Sequence, residues 1–130
     1  MLPSEWRAAG ESHFLCLVWP LVGNPEKLVL LPPGPAAKLH ANLEDMPLSD
    51  VEGSALATAV AGRSYEIKLD GFGRLPIPEA AAKAVGIKDR IRLVGGFTRF
   101  ELWNPGRHDT AVARPEFVAQ VERGLASRRI

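Results

Sequence analysis

The stretch Leu69-Asp70-Gly71-Phe72-Gly73-Arg74-Leu75-Pro76-Ile77-Pro78 leaves this chain few ways to fold. Upstream of it the residues from Arg63 to Leu69 alternate. Tyr65, Ile67 and Leu69 fall on one face, and Ser64, Glu66 and Lys68 on the other, the period of a half-buried strand. A reversal must follow. Asp70 can hydrogen-bond nearby backbone amides in a turn, and Gly71 and Gly73 accept positive φ without steric cost. Leu75 to Ile77 reads as a second short strand, after which Pro78 presets φ for the start of a helix. Glu79 suits that helix's first turn, while Lys83 and Gly86 suit its last turn and the position beyond it.

The same order of elements occurs twice. Leu2 to Gly10 parallels Ile77 to Gly86, each a short helix opened by proline and closed by glycine. His13 to Trp19 parallels Arg90 to Val94 as a strand, and Pro20 to Glu26 parallels the Gly95-Gly96 loop. Lys27 to Pro33 parallels Arg99 to Pro105 as a second strand, and a glycine follows each, Gly34 or Gly106. The first copy begins at its Leu-Pro. The strand, turn and Asp-to-Arg motif corresponding to residues 63–74 are therefore expected upstream of Leu2, unless they have been lost.

Between the copies, Ala36, Leu39, Leu43 and Met46 recur at helical spacing until Pro47. Ser49-Asp50-Val51-Glu52 then reads as a capping box, with Ser49 and Glu52 satisfying the free amides of a helix running to Ala61 and capped by Gly62. An αα-hairpin thus joins the repeats. Residues 107–114 read as irregular, and Phe117, Val118, Val121 and Leu125 form a helical stripe after Pro115.

Composition excludes several function classes. No run approaches the ~20 apolar residues of a membrane helix, and the first residues lack the basic and apolar pattern of a secretion signal. These features predict a cytoplasmic protein. Cys16 is the single cysteine and lies in an apolar strand, which suits a buried, inert thiol. His13, His40 and His108 are scattered without metal-ligand spacing, and no Gly-Lys-Ser/Thr follows the glycines of a phosphate loop. The pattern predicts no enzyme, cofactor, metal or small-molecule substrate. The net charge of +1 hides an asymmetry: residues 1–62 hold three basic and seven acidic residues, a balance of −4, which leaves +5 for the remainder. Such a division is compatible with one anion-facing surface.

Asp70 and Arg74 admit two readings. In one, Asp70 caps a turn and Arg74 sits on an exposed hairpin, paired with Asp70. In the other, the hairpin presents Arg74 to DNA, since a planar guanidinium can hydrogen-bond guanine or phosphate in two places. Lys68 on the polar face of the approach strand can add a phosphate contact. Arg90, Arg92 and Arg99 read as the solvent face of a sheet, and Trp6, Trp19 and Trp103 as packing residues.

Asp70-Gly71-Phe72-Gly73-Arg74 resembles the D-x-x-x-R motif of the MraZ family of bacterial transcriptional regulators, relatives of the AbrB-like swapped-hairpin DNA-binding proteins. The likeness extends through Leu75-Pro76-Ile77-Pro78, Ala84-Val85-Gly86-Ile87 and Leu93-Val94-Gly95-Gly96-Phe97-Thr98-Arg99-Phe100-Glu101-Leu102-Trp103, in the family's order of strand, helix, strand, loop and strand. The resemblance implies an α+β fold of two tandem swapped-hairpin (double-split β-barrel) repeats. Residues 1–48 would form the first, incomplete repeat with its following helix, 49–62 a linker helix, and 63–130 the second repeat. It further implies a nucleoid-associated regulator that assembles into a homo-oligomeric ring on direct repeats in promoter DNA of the cell-division and cell-wall gene cluster. Arg74, Asp70, Lys68, Gly71 and Gly73 would form the DNA-binding site. Loss of the first motif would instead make the chain an oligomeric scaffold with little DNA binding. An incomplete first repeat would also leave Leu15, Leu17, Val29 and Leu31 at an open sheet edge that invites self-association.

Overall fold

The computed structural model describes residues 13–70, 72, 74–95 and 99–128. The expected helix at Leu2–Gly10 and the surroundings of Trp6 lie outside them. Among the described residues the fold is α+β, built on one antiparallel sheet of five strands. These are β1 (His13–Trp19), β2 (Lys27–Leu31), β3 (Ser64–Lys68), β4 (Arg92–Gly95) and β5 (Phe100–Trp103), in the spatial order β3-β1-β2-β5-β4. Helices α1 (Pro33–Glu44) and α2 (Val51–Gly62) connect β2 to β3, α3 (Glu79–Ala84) precedes β4, and α4 (Pro105–Ala113) and α5 (Pro115–Ser127) follow β5.

Alternation along the strands fills both faces of the sheet. Phe14, Cys16, Val18, Leu28, Leu30, Ile67, Phe100 and Leu102 point to one side, where Leu69 joins them and Ala81, Val85 and Ile87 from α3 and its exit close over them. Leu15, Leu17 and Val29 point to the other, under Val60 of α2 and Ala36, Leu39 and Leu43 of α1. The strands near the centre are thus apolar on both faces, which explains why β1 and β2 read as continuous apolar runs rather than clean alternations.

The repeat is visible in the ladder between β2 and β5. Leu28 pairs with Leu102, Val29 with Glu101 and Leu30 with Phe100. In the sequence alignment Leu28 corresponds to Phe100, Val29 to Glu101, Leu30 to Leu102 and Pro33 to Pro105. The pairing is therefore symmetric about Val29–Glu101, with each hairpin followed by a helix that has proline in its first turn. Lys27 Nζ lies 3.0 Å from Glu101 Oε2 and 5.1 Å from the centre of the Trp103 ring, and Trp103 Nε1 donates to Glu101 Oε1 at 2.8 Å. The two hairpins are tied by charge at this centre.

Several sequence expectations need correction. Leu15, Leu17, Val29 and Leu31 are not at an open edge: β1 is flanked by β2 and β3, β2 by β1 and β5, and the first three side chains are buried. Among the described residues the outer edges belong to β3 and β4. Residues 107–114 are not irregular. Asn104 caps α4, its side chain accepting from Arg107 N at 3.1 Å, and Pro105 occupies the first turn. The cap of α2 is Asp50, which accepts from Gly53 N at 2.9 Å, rather than Ser49, and the helix runs through Gly62. Residues 75–77 lie outside the sheet ladder, while Leu75 and Ile77 still pack against the core.

Candidate nucleic-acid interface

The loop from Asp70 to Arg74 is held by its two stems and by one carboxylate. Ile67 and Leu69 are buried on the incoming side, and Leu75 and Ile77 pack on the outgoing side, so the turn projects from a fixed base. Asp70 N donates to Arg74 O at 3.0 Å and closes the loop. Asp70 Oδ1 accepts from Phe72 N and from Arg74 N, both at 2.8 Å. Those bonds, chiefly the one from the Arg74 amide, outweigh partial desolvation and hold the Asp70 carboxyl below its ordinary value of 3.8. Asp70 is thus ionised at neutral pH and acts as an internal cap.

The arginine stays largely exposed. Arg74 Nε is 3.9 Å from Asp70 Oδ2, a long contact for an ion pair, and 66% of the Arg74 side chain is exposed. Its guanidinium sits 5.1 Å from the centre of the Phe72 ring. The expected Asp70 pairing therefore works mainly through the backbone of the loop. Lys68 is exposed at the end of β3, one residue before the buried Leu69, beside the same projection. Gly71 and Gly73 lie outside the described residues. The residue that sequence reasoning passed over is Phe72; an aromatic side chain flanked by two glycines has few local neighbours to bury it, and that was the available signal.

The other basic residues do different work. Arg63 fixes the β1–β2 turn by donating to the carbonyls of Pro20 and Gly23. Arg92 pairs with Asp109 on α4, and Arg114 reaches Glu26 at 3.2 Å. That last pair borders a cleft of about 980 Å³ between the β1–β2 loop and α4, with Trp103, Asn104, Arg107 and Thr110 also lining it. Trp103 is buried as expected, with His108 edge-on at 5.2 Å, whereas Trp19 is partly exposed. Cys16 is wholly buried. Among the described residues no group of three His, Cys, Asp or Glu side chains could hold a metal ion. No helix among them is long and apolar enough to cross a membrane. The groups gathered at the 70–74 loop offer hydrogen-bond donors, positive charge and one apolar ring on an exposed tip, a set suited to reading a polyanion rather than to acid–base chemistry.

No family model matches the chain. Curated relatives do. The "Transcriptional regulator MraZ" of Hyphomonas neptunium is 28% identical over 113 residues, covering 82% of this chain and 64% of that protein. Its namesake in Coxiella burnetii is 25% identical over 120 residues, covering 92% and 78%. The one in Caulobacter vibrioides is 28% identical over 92 residues, covering 71% and 58%. The chain therefore spans a little under two thirds of the Hyphomonas protein's length.

Proposed function

The chain belongs to the MraZ family of transcriptional regulators, and from that membership and the loop geometry we propose that it binds promoter DNA through the Asp70–Arg74 hairpin. One observation carries the reading: a single carboxylate takes the amides of both Phe72 and Arg74 and so ties their backbone to Asp70, while the Arg74 guanidinium stays exposed. Arg74 enters the major groove or meets a phosphate, and Lys68 follows along the backbone. Asp70 preorganises the loop and does not itself approach the polyanion.

A hairpin of this size offers few contacts. Affinity then comes from several copies engaging adjacent direct repeats, which is the reason to propose a homo-oligomeric ring acting at the cell-division and cell-wall gene cluster, in the cytoplasm and on the nucleoid. We read residues 1–48 and 63–130 as two swapped-hairpin repeats joined by the linker helix 49–62; the symmetric β2–β5 ladder and the pairing of β3 with β1 support that reading. Residues 1–12 carry its N-terminal part and lie outside the described residues.

The test compares wild type with Arg74→Ala on direct-repeat duplexes and scrambled duplexes at two salt concentrations. Removing a base contact costs roughly 1–3 kcal/mol per site, and removing a phosphate contact lowers the salt slope by about one. Compounded over an assembly, specific binding by Arg74→Ala should fall close to the scrambled level, while melting temperature and particle size stay at wild-type values. Equal binding of both proteins to both duplexes would reject the reading. It would favour the oligomeric scaffold, which has its own support in the exposed apolar stripe of α5.

A further inference from the structure

Phe72 is a large apolar side chain in the Asp70–Arg74 loop, 69% exposed. Its backbone is nonetheless held. Its amide donates to Asp70 Oδ1 at 2.8 Å, and its ring lies 5.1 Å from the Arg74 guanidinium. The stems of the loop are anchored in the core at Leu69 and Leu75, and the Asp70 cap holds the backbone that carries the ring. An exposed aromatic on a capped backbone, beside a cation, suits a partner that presents an apolar group next to a hydrogen-bond acceptor.

We propose, resting on the DNA reading above, that Phe72 is a base-reading residue that packs against the C5-methyl of thymine in the major groove. The ring bears no donor or acceptor. Of the base edges exposed in that groove, only thymine presents an apolar group, so thymine is the base whose edge Phe72 matches. The same ring seats the guanidinium of Arg74, so the two side chains address neighbouring positions as a unit. Phe72 thus adds sequence preference to a hairpin whose arginine and lysine could be satisfied by phosphates alone.

The experiment uses the full chain and duplexes selected by the wild-type protein from a random pool. Thymine in the selected site is replaced by deoxyuridine, which deletes the methyl group and leaves pairing and charge unchanged. Wild type should lose about fourfold in affinity for each contacted methyl, from the transfer free energy of a single buried carbon. Phe72→Ala should bind the thymine duplex more weakly and bind thymine and deoxyuridine duplexes equally, while Phe72→Tyr keeps the discrimination. Because the ring is exposed, all three proteins should share one melting temperature. Selection of thymine-free sites, or a thymine-to-deoxyuridine effect that survives in Phe72→Ala, would overturn the proposal and leave the DNA reading intact. The same holds if wild type is indifferent to the methyl, the result expected if the ring merely wedges between base pairs. Failure of wild type to select any sequence would overturn both.

Discussion

Cys16 is fully buried in the middle of β1, and desolvation pushes its thiol up from 9.0 to about 12. The folded protein keeps the proton where the unfolded chain releases it. Raising the pH above 9 therefore favours the unfolded state, and stability falls until the folded thiol also ionises near 12. Between those limits Cys16 contributes a slope of up to about 1.4 kcal/mol per pH unit. Urea melts of wild type and Cys16→Ala between pH 9 and 10.5 should differ in slope by that amount. Identical slopes would show that the thiol is not buried as described. Burial of Cys16 was legible from its apolar neighbours alone. Asp70 was legible for a related reason, since an aspartate that caps its own turn acts within five residues. The choice between Ser49 and Asp50 as cap of α2 was not, because both side chains suit the role and only the backbone path decides.

At the scale of elements, α4 depends on Asn104 twice. The side-chain oxygen accepts from Arg107 N at 3.1 Å, and the side-chain amide donates to Gly86 O at 2.8 Å. Gly86 holds a φ of +73° just after α3, with the Arg107 guanidinium directly over its Cα, so one asparagine ties the exit of α3 to the entry of α4. Asn104→Ala loses the cap and leaves the Gly86 carbonyl without that donor, a cost of about 1–2 kcal/mol. Asn104→Asp keeps an oxygen for Arg107 N but loses the tether and turns a carboxylate oxygen toward the Gly86 carbonyl, so it should fall below wild type in chemical denaturation. Alanine and aspartate equal to wild type would remove Asn104 from this role. Asn104-Pro105-Gly106 explains why the helix was missed: the triplet has turn composition, but asparagine and proline in that order are also a cap and a first turn. The strands of the first hairpin were legible, and the residues after Arg74 were overread as a strand because alternation alone does not supply a pairing partner.

At the scale of the whole molecule, two of the open apolar features among the described residues bear on assembly. Phe117, Val118, Val121 and Leu125 line one side of α5, each at least 40% exposed, although α5 also packs on α4. On the sheet, β1 carries β3 on its outer side, whereas the corresponding outer side of β4 carries no described strand, and Leu93 there is 40% exposed. The apolar stripe of α5 was readable from spacing, but its exposure was not, because helical periodicity marks a face without saying what covers it. Both features are the kind that association buries, so light scattering at micromolar concentration should give a particle larger than a dimer. Two variants then separate the contacts. Val121→Lys with Leu125→Lys places charge in the α5 stripe, and Leu93→Lys places it on the β4 edge; neither touches a buried side chain, so each should melt near the wild-type temperature. If copies meet through α5, only the first variant shrinks the particle, and if they meet edge to edge, only the second does. A ring requires two different surfaces on every copy, because a single surface that pairs with itself closes at a dimer, so loss of assembly in both variants would point to a heterologous contact between stripe and edge. A wild-type monomer would contradict the ring. It would also remove the multivalency on which affinity for repeated sites depends, leaving each Arg74 hairpin to bind DNA alone.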